Sequence, residues 1–365
     1  MYNHSVCANM AEIGAKERKA DMKCSPFFSV IVPVYKAENF LKASMQTVLD
    51  QGFRDFEIIL VNDCSPDNSA AVCDEMAAAD SRIKVIHSSE NHGPGESRNI
   101  GLNAASGQYV FYMDSDDTMV PDALEKLHAI AEGEDIIAFG ANVVHVNEAG
   151  ETVSQSEMNS CDFYADSKDK ICTAFVKLSE ARAFQYIWNK IYRREFLKSA
   201  EARFEDMRLS EDFFFNIHLF GKAQSVRCVH DKFYNYIKPT FQTLTTTYSP
   251  VFFQLAKRKF LAEKEFLVQS GYEDKEYLSV VYCNHMKHIV SAFIRNQSKK
   301  AKLSRREKRE YVAATLRDDT VQELFACYKP QGLQNKAVFA VLKTKNITLS
   351  LLVARFISAL QKNVR

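Results

Sequence analysis

Short apolar runs, separated by longer segments of helical period, dominate the first 150 residues of the chain. Continuous apolar runs occupy positions 27–35, 56–63, 83–87 and 109–113. Each has the length of a strand, and the run 27–35 is of the kind that is buried on both faces of a parallel sheet. The order strand, helix, strand, helix, strand predicts an α/β fold with a doubly wound, mainly parallel sheet.

The connections between these strands are predicted from caps and turn residues. A helix is expected over 40–49, where apolar residues recur at i,i+4 spacing. A second helix is expected to begin near Ser65 or Asp67, since both residue types cap helix N-termini. The glycine-bearing stretch 92–107 is expected to be a loop that leads into the fourth strand.

The second half of the chain has a different pattern. A helix near 121–133 and a strand at 135–146 are followed by polar loops and short helices, and from about residue 250 the period is helical. One helix face is predicted to contain Leu278, Val281, His285, Ile289 and Phe293. The predicted organisation is a tail at 1–25, an α/β domain at 26–240, a helical extension at 241–330 and a basic amphipathic segment at 331–365.

Composition and charge narrow the class of protein. The chain is 46% hydrophobic and 25% charged with a net charge of +1, which argues against a general nucleic-acid-binding surface. The nine cysteines are odd in number and contain no C-x-x-C pair, as expected for reduced thiols of a cytosolic protein. No leader and no apolar run of membrane-spanning length is found, so a cytoplasmic location is expected.

The fourth apolar run ends in an acidic cluster formed by Asp114, Asp116 and Asp117. Carboxylates this close repel one another unless a positive charge lies between them. A hard divalent cation, Mg²⁺ or Mn²⁺, that also binds a nucleotide diphosphate would satisfy D-x-D. A surface acidic turn is the alternative for an isolated D-x-D, but ligands of doubly wound sheets bind at the carboxyl ends of strands, which favours the metal.

Two further residues near strand ends are candidate ligand contacts. Asp63 ends the second apolar run, where it would either cap a helix or accept hydrogen bonds from a base or ribose. Arg98 occupies the third glycine position of G-x-G-x-x-G, which weakens a nicotinamide-dinucleotide interpretation. Its guanidinium would bind a base or a phosphate, or form a surface salt bridge.

Several separate motifs resemble those of the family-2 inverting glycosyltransferases of the GT-A fold, of the type that builds bacterial polysaccharide and lipooligosaccharide. The motifs are SVIVPVYKAENFL, EIILVNDCSPDNS, NHGPGESRNIGL, GQYVFYMDSDDT, WNKIYRREFL and LSEDFFF, in the family's order and approximate spacing over roughly residues 28–240. The resemblance implies a Rossmann-like GT-A catalytic domain, a UDP-sugar donor, a glycan or lipid-linked acceptor, and Mn²⁺ or Mg²⁺.

The resemblance also implies roles for individual residues. The donor nucleotide is expected at Pro33, Tyr35, Asp63, Arg98, Asp114 and Ser115, with Asp63 on the uracil and the D-x-D on the ribose and the metal-bound diphosphate. Asp116 is expected to bind the metal. Asp212, preceded by Glu211, is expected to be the catalytic base; the alternative from the sequence alone is an ordinary helix start at S-E-D.

Two positions depart from the family's usual pattern. Cys64 stands where glycine is more frequent, which changes the backbone freedom there. Asn62 replaces a frequent aspartate and leaves Asp63 as the acidic contact.

The motif W-N-K contains residues whose role the sequence leaves open. Trp188, the only tryptophan, is expected either to stack on a sugar or to lie in the core. Lys190 is a candidate contact to the diphosphate, and Glu211 is a candidate contact to donor or acceptor. His285 and His288 share a helix face, but a zinc site would need further ligands.

The C-terminal segment is both basic and amphipathic. From residue 336 it contains Lys336, Lys343, Lys345, Arg355, Lys362 and Arg365 and no Asp or Glu. Its apolar stripe is Leu349, Leu352, Val353, Phe356 and Leu360. Such a helix either lies on an anionic membrane surface, which would place the protein at the inner face of the cell membrane, or packs on the catalytic domain.

Two other function classes remain open at the level of the sequence. D-S-D-D-T also fits the D-x-D-x-T motif of haloacid-dehalogenase-like phosphatases, with Asp114 as nucleophile. That motif normally ends the first strand of its sheet, whereas several apolar runs precede it here. A non-catalytic module that binds nucleotide sugars is the third interpretation. The intact D-x-D motif and the intact Glu211-Asp212 pair argue against it.

Overall fold

The computed structural model describes residues 25–207, 209–240, 249–272, 275–298 and 301–363, without the side chains of 275, 276 and 360–363. The predicted tail lies outside this range except for its last residue, as does Arg365 of the predicted C-terminal pattern. The backbone of Leu360 and Lys362 is described without their side chains. The strands are β1 (Phe28–Val34), β2 (Phe56–Asn62), β3 (Ile83–His87), β4 (Tyr109–Tyr112), β5 (Thr118–Met119), β6 (Ile136–Val146), β7 (Thr152–Met158), β8 (Phe163–Ala165), β9 (Lys190–Arg193) and β10 (Val226–Pro239).

The helices alternate with the strands at first and then follow one another. They are α1 (Leu41–Leu49), α2 (Ser69–Ala79), α3 (Pro94–Ala104), α4 (Ala123–Ile130), α5 (Lys168–Glu180), α6 (Arg194–Ser199), α7 (Glu211–Lys222), α8 (Phe252–Gln269), α9 (Lys275–Asn296), α10 (Arg305–Arg317), α11 (Asp319–Cys327), α12 (Leu333–Lys343) and α13 (Ile347–Asn363). The predicted change from sheet to helices after residue 240 matches this order, while the domain boundaries themselves stay a prediction.

The sheet is large and mainly parallel, as predicted. Its strand order is β3-β2-β1-β4-β9-β6-β10-β5, with β7 on β6 and β8 on β10. The β1, β2, β3 and β4 pairings are parallel, and β10 is parallel to β6. Strand β9, from the W-N-K motif, runs antiparallel between β4 and β6. Helices cover both faces, so β1 and β2 are buried almost throughout, which explains their unbroken apolar runs.

The expected loop at 92–107 is wrong, because residues Pro94–Ala104 form α3. Pro94 occupies the first turn, where its missing N–H and preset φ suit a helix. Gly101 is needed for packing: a Cβ there would lie 2.3 Å from Cγ2 of Ile31 in β1. The glycines that suggested a loop therefore allow a close contact between helix and strand.

Other predicted elements agree with the structure within a few residues. Helix α1 begins one residue after the predicted start, and α4 is shorter than 121–133 at both ends. Asp67 accepts hydrogen bonds from the backbone N (3.2 Å) and Oγ (2.6 Å) of Ser69, as expected for a carboxylate at a helix start.

The C-terminal helices share one core with the sheet. Helix α8 packs against α7 and α9. The predicted face of α9 is confirmed, since Val281, His285, Ile289 and Phe293 are buried. In the part of the chain that the structure describes, none of the helices has the combined length and apolar character needed to cross a membrane.

Helix α13 packs on α9 and α10 through a face that contains the buried residues Ser350 and Ala354. The predicted apolar stripe lies largely on its other side. Leu349, Leu352 and Phe356 are 43%, 52% and 65% exposed. The helix is therefore docked on the protein, as one alternative expected, while most of its apolar stripe stays on the surface.

Candidate active site

The acidic cluster forms a tight turn at the end of β4. The backbone N of Asp117 donates to the carbonyl of Asp114 at 3.2 Å. Asp117 is fully buried, and its carboxylate accepts from Oη of Tyr234 at 2.7 Å and from the backbone N of Ile237 at 2.6 Å. Oγ of Ser44 donates to its carbonyl. Asp117 thus anchors the turn, a role that the sequence analysis did not assign to it.

Asp117 lies in an environment that disfavours its charge. Burial raises its pKa well above the usual range, and the neighbouring charges of Asp114 and Asp116 add to the rise. The hydrogen bonds from Tyr234 and Ile237 act in the opposite direction. Tyr234 also accepts a hydrogen bond from the backbone N of Asp114 at 3.1 Å, so one phenol ties both ends of the turn to β10.

Trp188 lies in the core and supports this phenol. Its indole is 2% exposed and stacks on the ring of Tyr234, with centroids 4.9 Å apart and planes 11° apart. Tyr186 and Tyr236 also stack on the indole, at 4.6 Å and 5.0 Å. The core interpretation of Trp188 therefore fits the structure, and the sugar-stacking interpretation does not, because other rings cover the indole.

Lys190 is also buried, which corrects its expected contact with the diphosphate. Its Nζ donates to the carbonyls of Ala183 and Phe184 at 3.1 Å each and to that of Tyr186 at 2.5 Å. Burial lowers its pKa to about 7. Asn216 of α7 binds the Phe184 and Tyr186 carbonyls at 2.9 and 3.0 Å. Lys190 therefore fixes the segment before β9. The sequence signal for its burial was its place close to Trp188 and at the start of an apolar strand.

Arg98 brings the acidic turn and the start of α7 together. It lies on α3, is 4% exposed, and its Nη2 is 2.9 Å from Oδ1 of Asp114. Its Nη1 is 3.0 Å from Oδ1 of Asp212 and 3.3 Å from Oε1 of Glu211. The predicted surface salt bridge is thus a buried cluster of one guanidinium and three carboxylates, with charge-assisted hydrogen bonds in a site of low dielectric.

Helix α3 reaches α7 because of a close contact at residues 204 and 205. Asn99 donates to the carbonyl of Phe204 at 3.0 Å and accepts from its backbone N at 2.8 Å. Gly95 packs against the same segment, where a Cβ would lie in van der Waals contact, 3.4 Å from the carbonyl oxygen of Glu205. These contacts hold Arg98 opposite the first turn of α7.

Asp212 and Glu211 form the first turn of α7. Ser210 precedes them with a φ of 71° and makes no side-chain cap, so the ordinary S-E-D cap considered from the sequence is absent here. Burial raises the pKa of Asp212 to about 7, while the charge of Arg98 opposes the rise. A carboxylate with a pKa near neutral can accept a proton at physiological pH.

The expected nucleotide contacts lie at the ends of β1 and β2. Asp63 follows β2, is buried, and accepts from the backbone N of His92 and of Gly93 at 2.8 Å each. These bonds fix the approach to α3. Cys64 has a φ of 51°, so the residue that departs from the usual glycine adopts the left-handed conformation that glycine favours.

Pro33 lies within β1, and Tyr35 directly after this strand is 45% exposed. The ring of Tyr35 is open to a stacking partner because so much of it is exposed. The Lys36 ammonium lies 5.3 Å from the centroid of this ring. Both residues are at the same sheet edge as Asp63, where parallel strands end.

Asp116 and Ser115 occupy the outer part of the turn. Asp116 is exposed and forms no salt bridge with the basic side chains that the structure describes. Desolvation by the surrounding protein and repulsion from Asp114 raise the pKa of Asp116 to about 6. A nearby cation would relieve this repulsion, so the carboxylates at 114 and 116 fit a hard divalent ion.

The protein alone does not offer a complete metal cage within the described residues, where no group of three or more His, Cys, Asp or Glu side chains is arranged to hold an ion. This agrees with a Mg²⁺-like ion that takes one or two carboxylates from the protein and its other ligands from phosphate and water. His285 instead packs against Phe260 and contacts Oγ1 of Thr320 at 3.1 Å, which fits a core residue.

A doubly wound sheet with acidic side chains at the carboxyl ends of its strands defines a nucleotide-binding type of α/β protein. The family model of glycosyl transferase family 2 matches residues 29–200. The uncharacterized glycosyltransferase EpsJ of Bacillus subtilis is 30% identical over 263 residues, which is 71% of this chain and 76% of EpsJ. The chain belongs to glycosyltransferase family 2.

Two further comparisons agree with this assignment. Glycosyltransferase GlyA of Streptococcus pneumoniae is 33% identical over 214 residues, 57% of this chain and 30% of GlyA. The crystal structure of S. aureus TarS 1-349 in complex with UDP-GlcNAc has a TM-score of 0.64 at 20% identity and covers 91% of both chains. The likeness to TarS shows the GT-A fold.

The family assignment makes the protein a glycosyltransferase, so the phosphatase interpretation of D-S-D-D-T is wrong.

Proposed function

We propose that the protein transfers a sugar from a UDP-sugar donor to a hydroxyl group of a glycan or lipid-linked acceptor, with inversion and with a divalent cation. The observation that carries the proposal is the position of Arg98 between Asp114 and Asp212, at 2.9 and 3.0 Å. One guanidinium thereby holds a donor-side carboxylate and a candidate base close to each other.

The donor side is formed by the ends of β1, β2 and β4. Tyr35 offers an exposed ring to the base, and Asp63 keeps lone pairs beyond those that its two backbone hydrogen bonds use. Asp114 and Ser115 would contact the ribose, and Asp116 would hold the cation. The cation, when bound, offsets the negative charge that develops on the departing diphosphate. The S. aureus TarS complex with UDP-GlcNAc supports UDP as the nucleotide.

The acceptor side is the first turn of α7. In the proposed step the acceptor oxygen bonds to the anomeric carbon as the bond from that carbon to the phosphate oxygen breaks. The electron pair of that bond leaves with the diphosphate, and the hydroxyl proton moves to Asp212. Because attack and departure occur on opposite faces of the sugar, a single displacement inverts the anomeric configuration.

Arg98 orients both carboxylates in this scheme. With a charge buried among Asp114, Glu211 and Asp212, it limits their mutual repulsion and fixes the Oδ1 atom of Asp212. Glu211 accepts from the same guanidinium, so we assign it a positioning role. Lys190 and Trp188 support the site from the core, without contact to donor or acceptor.

The C-terminal segment supports a membrane-proximal acceptor. Helix α13 exposes the stripe Leu349, Leu352 and Phe356, and the surrounding segment exposes Lys336, Lys343, Lys345 and Arg355. No acidic residue lies between 324 and 365. An apolar stripe flanked by cations alone complements an anionic lipid surface, so we propose that this helix lies on the membrane.

A thermal-shift screen tests the donor assignment. A ligand that binds only the folded state raises the melting temperature, so UDP and UDP-sugars should raise it in the presence of Mn²⁺ and less after chelation. The release of UDP, measured for each donor that stabilises the protein, then identifies the sugar. Stabilisation by GDP-sugars alone, or by no nucleotide, would contradict the proposal.

A further inference from the structure

A cavity of about 530 Å³ with both polar and apolar side chains on its wall lies between the sheet domain and the C-terminal helices. It is enclosed by the segment after α5, by Phe213 of α7, by α8 and α9, and by the segment from Tyr328 to Asn335. Cavities of this size hold small molecules or short oligomers. None of the residues assigned above to the donor lines it.

The side chains that line the cavity include more cations than carboxylates. Arg182, Lys259 and Lys287 line it, and none of them is within salt-bridge distance of a carboxylate among the residues that the structure describes. The carboxyl groups on its wall are Glu180 and Glu263. Lys259 is half-buried, whereas Arg182 and Lys287 are exposed at the rim. Because Lys259 is partly desolvated, an anion that enters is attracted to it more strongly than to a cation on an open surface.

Glu263 differs from an ordinary wall residue. It is 6% exposed, lies one helical turn from Lys259 on α8, and makes no hydrogen bond within the described part of the chain. Burial raises the pKa of Glu263 to about 8, which reduces its negative charge at neutral pH. A protonated carboxyl group can donate a hydrogen bond, and an unpaired buried polar group favours a ligand that pairs with it.

The cavity begins beside the candidate base. Phe213 follows Asp212 in α7, and the Lys259 ammonium lies 4.9 Å from the centroid of the Phe213 ring. Burial lowers the pKa of Lys259, and the negative charges of Glu263, then Asp212 and Glu211, oppose this effect. An acceptor whose hydroxyl reaches Asp212 would therefore extend past Phe213 into this space.

We propose that the cavity binds a negatively charged unit of the acceptor, through a phosphate or carboxylate group that pairs with Lys259, Lys287 and Arg182. This inference rests on the proposed function, because it takes Asp212 as the side from which the acceptor enters. Neutral polar side chains of the wall, Gln185 and Asn284, suit the hydroxyl groups of the same unit.

Binding of defined anionic probes to the full chain tests this proposal. Glycerol 3-phosphate represents the phosphate source and a digalacturonate the carboxylate source, with maltose as the neutral control, each followed by calorimetry at low salt. At least one anionic probe should bind the wild type, and the Lys259→Met and Lys287→Met variants should bind it about tenfold more weakly. Lys198→Met, at an exposed lysine of α6 outside the cavity, is the matched control and should bind normally.

UDP binding, measured on the same samples, separates this proposal from the donor assignment. Both cavity variants should retain the wild-type affinity for UDP with Mn²⁺, which also shows that they are folded. If neither anionic probe binds the wild type while UDP does, or if both variants bind the probe normally, the cavity assignment is wrong. If UDP also fails to bind, the donor assignment has failed as well. Should Lys259→Met not fold, Lys287→Met at the surface decides the outcome.

Discussion

Arg98 lies 3.0 Å from Oδ1 of Asp212 although 114 positions separate the two residues in the chain. The contact joins α3, the helix after β3, to α7, the helix that precedes β10, and the same guanidinium reaches Asp114 at the end of β4. Three segments that the sequence separates widely therefore meet at one charge. Breaking a buried pair by removing one partner leaves an uncompensated charge, so the geometry of this cluster is strongly specified.

The Asp212→Asn variant should lose transfer while it keeps its nucleotide. Asparagine preserves the size of the side chain and still contacts Arg98, but it cannot accept the hydroxyl proton. We expect kcat to fall by about 10²–10⁴, the usual contribution of a general base. The affinity for UDP, measured by calorimetry, should change little.

Asp206→Asn is a suitable control for that variant, because Asp206 is exposed in the segment before α7 and forms none of the salt bridges of the described chain. It should have wild-type turnover. Normal turnover in Asp212→Asn would remove Asp212 from the mechanism.

The pH dependence of kcat/KM should report the ionisation of Asp212. Burial raises its pKa to about 7, so the carboxylate is the minority form below that pH. Activity should therefore fall about tenfold for each pH unit below 7 and level off above it. Arg98, Glu211, Asp114 and Lys190 are the charged groups that act on Asp212. A rate profile that is flat between pH 5 and pH 8 would contradict this assignment.

Asp116 should control the metal dependence of donor binding. Its exposed carboxylate, with a pKa raised to about 6 by desolvation and by Asp114, is ionised at pH 7.5 and able to bind a cation. Asp116→Asn should abolish the increase in UDP affinity that Mn²⁺ produces in the wild type, with little effect on metal-free binding. Asp122→Asn changes an exposed carboxylate beyond the turn and is the control. Equal Mn²⁺ effects in Asp116→Asn and the wild type would disprove the assignment.

Tyr234→Phe should destabilise the acidic turn. The phenol donates to Oδ2 of Asp117 at 2.7 Å and accepts from the backbone N of Asp114 at 3.1 Å, so its loss leaves two polar groups unpaired. We expect the free energy of unfolding to fall by about 1–3 kcal/mol and the UDP affinity to fall with it.

Tyr236→Phe provides the comparison, because it keeps the stack on Trp188 and removes a phenol for which the described residues show no hydrogen bond. Urea unfolding at constant pH measures both variants. An equal loss in the two variants would mean that the two hydrogen bonds of Tyr234 contribute nothing specific to the stability of the turn.

Most of the sheet could be predicted from the sequence, because strands buried on both faces produce unbroken apolar runs, as in β1 and β2. Helix α3 could not, since its glycines serve a contact with β1 that depends on the tertiary structure. The carboxylates of the site were found because they follow apolar runs. The core position of Trp188 stayed one of two alternatives, because its stacking partner Tyr234 lies far along the chain, on β10. Lys190 was assigned wrongly although the carbonyls that it binds are close in sequence, since only the fold brings these carbonyls around its ammonium.

Charge substitutions on α13 should weaken membrane binding. The side chains of Leu352 and Phe356 are 52% and 65% exposed and carry no packing role in the helix interface, so Leu352→Glu and Phe356→Glu should fold normally. Each introduces a negative charge into a stripe that faces anionic lipid in the proposed orientation. We expect the double variant to bind vesicles of phosphatidylglycerol and phosphatidylcholine at least about tenfold more weakly than the wild type, since a buried apolar side chain contributes about 1.5–3 kcal/mol.

Co-sedimentation at low and high salt measures this binding. Wild-type binding should decrease with salt, because screening weakens the contribution of Lys343 and Arg355. Val251→Glu, at an apolar residue that is 58% exposed outside this segment, should bind as the wild type does. If the wild type does not sediment with anionic vesicles, or if the double variant sediments equally well, α13 does not bind the membrane.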